Sequence, residues 1–369
     1  MKIRILYMLT SIDGGGVGQI LLTYLSRMDR ERFECDVACL DISGRKLLYY
    51  DGFRAVTDNI YFLDKSYPKR LRRFASILKE RRYHILHINL EEASSVYLLL
   101  GKLFGVKVRI AHSHLTTAPQ TTGGRLKKLL RPLLYAVTTQ KYACGEMAFR
   151  HMWGIAKSGH IMTNAIEVDR FRYNMADEAA VREEFGIPAD NFIVGTVGRL
   201  SYQKNPPFII EILHELKLRD PRFTFLWVGD GEQAASIQKR CKAEGLGGNV
   251  VFTGNRSDIP RLFNTMKVFI LPSLYEGLPI VGVEAQASNL HCLFADTITR
   301  EIGLTDRAEF LPIKSASVWA DRISTLLHED YDRTKNSGIN DTKYDISEAV
   351  ECLEAEYQQF YNEKYVKYK

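Results

Sequence analysis

The feature that most constrains the fold of this chain is a regular alternation of strand-like and helix-like segments along its length. Short apolar runs are separated by longer segments with helical periodicity, which is typical of α/β proteins with parallel sheets. The pattern predicts two doubly wound, Rossmann-like parallel sheets. Their expected strands are Ile3–Met8, Glu34–Cys39, Asn59–Phe62, Ile85–Ile88, Lys107–His112, Lys141–Cys144, Phe192–Val197, Phe223–Val228, Val250–Phe252, Val268–Leu271 and His291–Phe294.

The length of 369 residues also favours two domains over a single hydrophobic core. We place the join near the segment from Asn164 to Asp169, which separates the two series of strands. The predicted domains are residues 1–166 and 167–345, followed by a helical segment over 346–369. Because ligands bind beyond the carboxyl ends of the strands in open parallel sheets, we expect the functional residues in the loops at those ends.

The segment from Tyr275 to Ala285 carries two carboxylates around a predicted helix start. Pro279 fits the first helical position, where its missing N–H costs no hydrogen bond. Glu276 then lies in the preceding loop and Glu284 about one turn inside the helix. Carboxylates in such places accept hydrogen bonds from sugar hydroxyls, although an ordinary helix start with dipole-friendly glutamates is the alternative.

The same helix start would present the free backbone N–H groups of Ile280, Val281 and Gly282 to a ligand. Such N–H groups, together with the helix dipole, attract phosphate oxygens. The combination of sugar-binding carboxylates and phosphate-binding amides suits a sugar attached to a phosphate.

Two cations follow another predicted strand. Arg199 and Lys204 frame the loop after Phe192–Val197, and Asn205 with the next proline announces a helix. Arginine grips phosphate oxygens in a fork and lysine acts as a compact charge, so both suit a diphosphate leaving group. Solvated surface charge is the alternative.

These motifs together resemble the retaining glycosyltransferases of family 4, of the bacterial capsular and exopolysaccharide type, which have the GT-B fold. The spacing from Glu276 to Glu284 matches the family's E-x7-E signature. Further matching segments are Phe269–Ser273, Glu284–Ser288 and Gly198–Asn205, and the resemblance extends over residues 3–295. It implies two Rossmann-like domains facing a cleft, the first on the acceptor side and the second binding the donor. It also implies that the last helix crosses back to the first domain.

The resemblance assigns the following roles. The catalytic residues would be His114, Arg199, Lys204 and Glu276, with His114 contacting the transferred sugar and the acceptor. The donor would be a nucleotide sugar, most simply a UDP-sugar, and the acceptor a glycan or polyprenyl-linked glycan. The donor-binding residues would be Gly15, Gly16, Gly229, Asp230, Arg256, Leu278, Pro279, Ile280, Val281 and Glu284.

The glycine-rich segment Gly14–Gly18 could instead belong to a dinucleotide site. Its glycines do not fit the G-x-G-x-x-G spacing, because that spacing meets Gln19 or Leu21, so an epimerase or NAD-dependent oxidoreductase is disfavoured. A tight strand–helix turn remains an alternative, with the helix expected to begin near Gln19. A non-catalytic subunit that binds nucleotide sugars also stays open, since binding residues do not prove turnover.

Composition restricts the partners. A net charge of +6 fits phosphate-bearing ligands or an anionic membrane surface, and no nucleic-acid-binding motif accompanies it. Basic stretches at Lys69–Arg73 and Arg125–Arg131 suggest peripheral membrane docking, with a solvated helix face as the alternative. We expect no cofactor and no metal, because the cations can neutralise the leaving group. Without a signal peptide or a long apolar run, a cytoplasmic protein is expected.

Overall fold

A computed structural model of the chain describes residues 2–12, 16–40, 47, 49–115, 128–155, 158–340 and 342–366. The chain forms two compact units. The N-terminal unit comprises Met1–Ile166 together with Lys343–Lys369, and the C-terminal unit comprises Glu167–Thr342. The chain therefore leaves the N-terminal unit once and returns to it near its end.

The N-terminal unit is built on a parallel sheet of seven strands in the order β3-β2-β1-β4-β5-β6-β7. The central strands are apolar and buried on both faces, as expected where helices cover a parallel sheet. The strands are β1 Ile3–Leu9, β2 Phe33–Leu40, β3 Asn59–Leu63, β4 Ile85–Ile88, β5 Val108–Ser113, β6 Gln140–Ala143 and β7 His160–Ile161. The helices among them are α1 Gly16–Arg27, α2 Tyr50–Val56, α3 Tyr67–Arg81, α4 Ser94–Leu103, α5 Arg131–Val137 and α6 Glu146–Trp153.

The C-terminal unit repeats the plan with a parallel sheet of six strands in the order β10-β9-β8-β11-β12-β13. The strands are β8 Phe192–Val197, β9 Phe223–Val228, β10 Val250–Gly254, β11 Val268–Leu271, β12 His291–Ala295 and β13 Ala308–Leu311. The helices are α7 Met175–Phe185, α8 Pro206–Arg219, α9 Ala234–Ala243, α10 Ile259–Thr265, α11 Ile280–Ala287 and α12 Ala316–His328.

A last helix, α13 (Ile346–Tyr361), belongs to the N-terminal unit. Its apolar side chains recur every three or four residues, which places them on one face. That face is buried and consists of Ile346, Val350, Leu353, Tyr357 and Phe360. Asp345 caps the helix by accepting a hydrogen bond from the backbone N–H of Ser347 at 2.9 Å.

The predicted fold class, two doubly wound parallel sheets, is confirmed, and a strand lies at each of the eleven predicted places. The prediction missed β7 and β13, which are both edge strands of at most four residues. Such short segments carry too few residues to show a period. Helix α1 begins at Gly16, three residues before the expected start at Gln19.

In both sheets the strand order reverses beside the first strand of the unit. In the N-terminal unit the order reverses between β1 and β4, and in the C-terminal unit it reverses between β8 and β11. Crevices at such switch points are where doubly wound sheets bind ligands. Across the described ranges, the structure contains no helix long and apolar enough to span a membrane.

Candidate active site

Three loops of the C-terminal unit are joined at the carboxyl edge of its sheet. The loops after β8 and β9 are linked by hydrogen bonds from the Leu200 N–H to the Asp230 carbonyl (3.1 Å) and from the Gln233 N–H to the Leu200 carbonyl (3.1 Å). The loop after β11 joins the loop after β8 through the Leu274 N–H, which donates to the Gln203 carbonyl at 2.8 Å. These hydrogen bonds hold the three loops next to one another, so their side chains can contribute to one site.

Glycine at position 229 is required for this arrangement. Gly229 has a φ of 131°, and a Cβ atom there would lie 2.1 Å from the carbonyl oxygen of Gly198. Gly231 is similarly confined, since its Cβ would lie 2.5 Å from the Leu200 carbonyl oxygen. Only glycine permits this approach of the two loops. Asp230 lies between them, exposed, with its carboxylate accepting from the Gly231 N–H at 2.7 Å.

Lys204 and Glu276 form the centre of the site. The Lys204 Nζ lies 2.7 Å from the Glu276 Oε1, with side chains 20% and 9% exposed. The other oxygen, Oε2, accepts a hydrogen bond from the Gln203 Nε2 at 3.0 Å. Gln203 also donates to the Tyr275 carbonyl at 3.0 Å, so it fixes the loop that carries the carboxylate. A lysine and a carboxylate are therefore paired where solvent is largely excluded.

Arg199 lies at the start of the same loop and is exposed. Its guanidinium has no hydrogen-bond or ion-pair partner among the residues that the structure describes. All five of its N–H donors are thus available to an anion. The two cations follow the same strand in the sequence, but the structure shows that Lys204 is paired with a carboxylate and Arg199 is exposed.

Helix α11 begins one residue later than predicted. Pro279 is its N-cap, with a ψ of 110° that lies outside the helical range, and Ile280 is its first residue. The Pro279 carbonyl accepts from the Gly282 N–H at 2.9 Å, so that N–H is already engaged. The N–H groups of Ile280 and Val281 remain at the open end of the helix.

The other predicted residues of this helix are buried. Leu278 is 6% exposed and packs at the entrance to α11, and Glu284 lies inside the helix with 3% exposure. A carboxylate this deeply buried needs polar partners. Glu276 precedes the helix start in the chain, and Glu284, eight residues later, lies inside the helix.

Arg256 is engaged by carboxylates. Its Nε and Nη2 donate to the two carboxylate oxygens of Asp258 at 2.8 and 2.7 Å, and its Nη1 lies 2.9 Å from the Glu184 Oε1. The hydrogen bonds that Arg256 donates to Asp258 are the largest cause that raises the pKa of Arg256 above its usual value. Its predicted contact with the nucleotide-sugar donor would therefore be made from a guanidinium that Asp258 and Glu184 hold in place.

A second group of polar residues lies in the N-terminal unit, at the carboxyl ends of β4 and β5. His114 follows β5, and its Nε2 lies 2.8 Å from the Asn89 Oδ1. Its backbone N–H donates to the Glu91 Oε1 at 2.6 Å, and the Ser113 hydroxyl donates to the Glu91 Oε2 at 2.9 Å. The loop after β4 thus holds both the ring and the backbone of His114.

Partial burial favours the neutral form of this histidine. Desolvation lowers the pKa of His114 to about 4, and the ring stacks on that of His112 at a centroid distance of 4.1 Å. The opposite effect acts on Glu91, whose pKa burial raises to about 7 against the hydrogen bonds from His114 and Ser113.

His112 is the first member of a series of buried side chains that are linked by hydrogen bonds. Its Nδ1 lies 3.0 Å from the His87 Nε2, and the His87 Nδ1 lies 2.6 Å from the Tyr357 hydroxyl. The Tyr357 hydroxyl in turn lies 2.9 Å from that of Tyr7. Helix α13 therefore reaches the interior of the N-terminal unit directly behind the His114 loop.

His114, Asn89 and Glu91 border a pocket of about 500 Å³ in the N-terminal unit. Aromatic, acidic and basic side chains share its wall, which is a composition suited to a polar ligand with carbon faces. The lining comprises Thr10, Val17, Leu40, Tyr67, Arg70, Asn89, Leu90, Glu91, Glu92, Ala93, Tyr97, His114, Leu115 and His151.

The glycine loop is described only in part. Gly15 lies outside the described residues, and Gly16 is exposed at the first position of α1, with nothing within 4 Å of where its Cβ would stand. Among the described residues, no group of three or more histidine, cysteine, aspartate or glutamate side chains could hold a metal ion.

Sequence reasoning missed three residues of these sites. Gln203 anchors Glu276, while Asn89 and Glu91 hold His114. The signal for the latter two was present, because both lie within three residues after the predicted strand Ile85–Ile88 and therefore at the same sheet edge as the end of β5.

Comparison with known proteins adds family information to this geometry. Residues 177–342 match the family model described as "Glycosyl transferases group 1". The chain is 31% identical to the "Putative glycosyltransferase EpsF" of Bacillus subtilis (strain 168), in an alignment covering 93% of this chain and 97% of that protein.

A second relative is an Escherichia coli enzyme, UDP-Gal:alpha-D-GlcNAc-diphosphoundecaprenol alpha-1,3-galactosyltransferase. It is 24% identical over 76% of each chain. Among solved structures, Anabaena HepE in complex with UDP and glucose superposes with a TM-score of 0.82 at 18% identity. That alignment covers 97% of this chain and all of HepE, and it shows that the two proteins share a fold.

Proposed function

The chain belongs to the group 1 glycosyltransferases, and from that premise we propose that it transfers a sugar from a UDP-sugar to a glycan or lipid-linked glycan. Transfer would retain the configuration at the anomeric carbon and would need no metal. The reaction would serve the synthesis of a bacterial surface polysaccharide.

The observation that carries this proposal is the Lys204–Glu276 pair at the carboxyl edge of the C-terminal sheet, with Arg199 on the same loop. A departing UDP develops negative charge as the glycosidic bond breaks. Preorganised cations lower that barrier because they stabilise the transition state more than the ground state. Lys204 can turn from Glu276 toward a phosphate, or bind both at once through its three N–H donors.

The choice of UDP and of a lipid-linked acceptor draws on the relatives. HepE was solved with UDP and glucose, and the E. coli relative is named for UDP-Gal and a diphosphoundecaprenol acceptor. Arg199, Lys204 and the open end of α11 supply positive charge for the diphosphate. Retention follows from the resemblance to family 4.

Turnover of a UDP-sugar panel tests the proposal. The protein should release UDP from one or more UDP-sugars in the presence of EDTA, and release should accelerate when undecaprenyl-diphosphate-linked sugars are added. Proton NMR of the product should show the anomeric configuration of the donor. Binding without release would indicate a non-catalytic subunit, and interconversion of UDP-sugars without release would indicate an epimerase.

Glu276 and Glu284 should have different effects when changed. We expect Glu276 to hold the donor sugar, so Glu276→Gln should mainly lower kcat as the sugar becomes misplaced in the transition state. We expect Glu284 to hold the ribose, so Glu284→Gln should mainly raise the donor KM and weaken UDP binding. Calorimetry with UDP alone, beside steady-state kinetics, separates the two effects. Loss of UDP affinity in Glu276→Gln only would reverse the roles.

Helix α3 presents a basic face that suits docking on an anionic membrane. Helix α3 exposes Lys69, Arg72 and Arg73 while burying Phe74, Ile77 and Leu78, so the basic side chains form an outward face. In the second basic stretch, residues 125–127 lie outside the described residues, and Arg131 is paired with Glu92 at 3.0 Å. The α3 face is therefore the stronger candidate for anionic lipid.

Vesicle binding provides the test. Each cation near an anionic surface contributes about 1 kcal/mol, so reversing Lys69, Arg72 and Arg73 to glutamate should weaken binding to phosphatidylglycerol vesicles at least tenfold. The same reversal at the exposed Lys239 and Lys242 of α9 should have a much smaller effect. Absence of binding by the unmodified protein at low salt would exclude docking through this face.

A further inference from the structure

The hydrogen bonds around Asn89 determine which nitrogen of His114 carries a proton. The Asn89 Nδ2 donates to the Met8 carbonyl at 3.3 Å, which orients the amide so that its Oδ1 faces the His114 Nε2 at 2.8 Å. An amide oxygen can only accept a hydrogen bond. The His114 Nε2 must therefore be the protonated nitrogen.

The other ring nitrogen then carries a lone pair. A neutral imidazole has one donor and one acceptor nitrogen, and burial keeps His114 neutral by lowering its pKa to about 4. Among the described residues, the His114 Nδ1 has no hydrogen-bond partner, and His114 lines the 500 Å³ pocket of the N-terminal unit. The site thus offers an acceptor nitrogen to a ligand that can donate.

The position of the ring is fixed by two further contacts. The Glu91 carboxylate accepts the His114 backbone N–H, and the His114 ring stacks on His112 with an interplanar angle of 27°. Glu91 has a φ of 51°, a left-handed conformation that is costly for a residue other than glycine or asparagine. The surrounding contacts maintain that strain, and strained residues of this kind are concentrated at functional sites.

We propose that Asn89 is a positioning residue that fixes His114 as the Nε2–H tautomer, so that the Nδ1 accepts a hydrogen bond from a ligand hydroxyl in this pocket. Glu91 contributes by fixing the backbone of His114. That the ligand is a sugar rests on the proposed function, whereas the tautomer does not.

Nitrogen-15 NMR of protein labelled at histidine tests the tautomer directly. Signals of His114 are assigned by their loss in His114→Gln. In the unmodified protein they should show a protonated Nε2 and an unprotonated Nδ1, unchanged between pH 5.5 and 8. Asn89→Leu removes the acceptor, so the two nitrogens should shift toward a tautomeric mixture. Asn89→Asp keeps an acceptor and adds a charge, so His114 should retain its protonated Nε2 and begin to titrate at a higher pH.

Kinetics with the best UDP-sugar tests the consequence. Loss of one hydrogen bond that orients a reacting group corresponds to about a tenfold loss of kcat/KM, so Asn89→Leu should fall by that factor. Asn89→Asp, which preserves the tautomer, should retain more activity. The matched control is Asn362→Leu, at the exposed end of α13, which should change kcat/KM less than twofold.

A protonated Nδ1 in the unmodified protein overturns the proposal, as does an unchanged tautomer with undiminished kcat/KM in Asn89→Leu. If Asn89→Leu does not fold, the unmodified protein and Asn89→Asp decide the matter through their NMR signals. If no UDP-sugar is consumed, the proposed function fails, while the NMR result still decides the state of His114.

Discussion

At the scale of single residues, the site separates two cations that have similar places in the sequence. Lys204 is 20% exposed and paired with Glu276, whereas Arg199 is exposed without a partner among the described residues. Removing Lys204 leaves a largely buried carboxylate without its cation, which costs stability as well as charge. Removing Arg199 costs only its interaction with a ligand.

We therefore predict that Lys204→Ala and Arg199→Ala both lower kcat by about a hundredfold or more, the scale of losing one preorganised charge donor. Only Lys204→Ala should also lower the thermal midpoint of unfolding. Combining it with Glu276→Gln should restore part of that midpoint, because the unpaired charge is removed. Lys239→Ala, an exposed cation of the same unit, serves as the control. Full activity in both variants would contradict the assignment.

Glu91 gives a prediction about pH. Its pKa of about 7 in the folded protein lies above its ordinary value of 4.5, so between these values the folded state holds a proton that the unfolded state has released. Stability contributed by this group is therefore lost as pH rises from 4.5 to 7. The free energy of unfolding, compared with that of Glu91→Gln, should fall by up to about 3 kcal/mol across this window and then stay level.

Urea denaturation of both proteins from pH 4.5 to 8 measures that difference. The variant is the proper reference because the buried His84 and His87, whose pKa values burial lowers, do not hydrogen-bond Glu91 and are present in both proteins. Glu351→Gln, on the exposed face of α13, should show no such dependence relative to the unmodified protein. An unfolding free energy of the unmodified protein that rises with pH relative to that of Glu91→Gln would contradict a raised pKa of Glu91.

At the scale of elements, the loops after β8 and β9 can approach each other only because residue 229 is glycine, which has no side chain. Gly229→Ala would place a methyl group 2.1 Å from the Gly198 carbonyl and force alanine to a φ of 131°. We expect the unfolding free energy to fall by about 2 kcal/mol or more, and the UDP affinity with it, since Arg199 lies in the displaced loop. Thermal unfolding with and without UDP measures both effects.

Gly248→Ala is the matched control for this variant. A Cβ at Gly248 would meet nothing within 4 Å, so alanine there should leave stability within about 1 kcal/mol of the unmodified protein. Equal thermal midpoints of unfolding for Gly229→Ala and Gly248→Ala would show that the two loops can move apart without loss of stability.

Elements were predictable where the sequence pattern is long enough to show a period. Buried strands such as Phe223–Val228 appear as continuous apolar runs, while β7 and β13 are too short to do so. The start of α11 was misplaced by one residue because Pro279 is compatible with the cap as well as with the first turn, and only its ψ distinguishes them. Pairing of Lys204 with Glu276 was beyond prediction, since contacts between loops 72 residues apart depend on side-chain placement.

At the scale of the whole molecule, the N-terminal unit is discontinuous in the chain. Its first 166 residues are completed by Lys343–Lys369, and the C-terminal unit lies between these segments. Tyr357 of the returning helix is fully buried and bonds Tyr7 and His87, directly behind the loop that carries His114. The candidate ligand pocket therefore relies on a segment far away in sequence.

Synthesis on the ribosome proceeds from the N-terminus. All residues of the C-terminal unit are therefore synthesised before the last segment of the N-terminal unit. The last helix emerges about 200 residues after the first segment, which at 5–20 residues per second is a delay of roughly 10–40 s. During that time the nascent N-terminal segment lacks Tyr357, which Tyr7 and His87 contact through hydrogen bonds in the folded protein. The half of the protein that is made first is thus the half that finishes last.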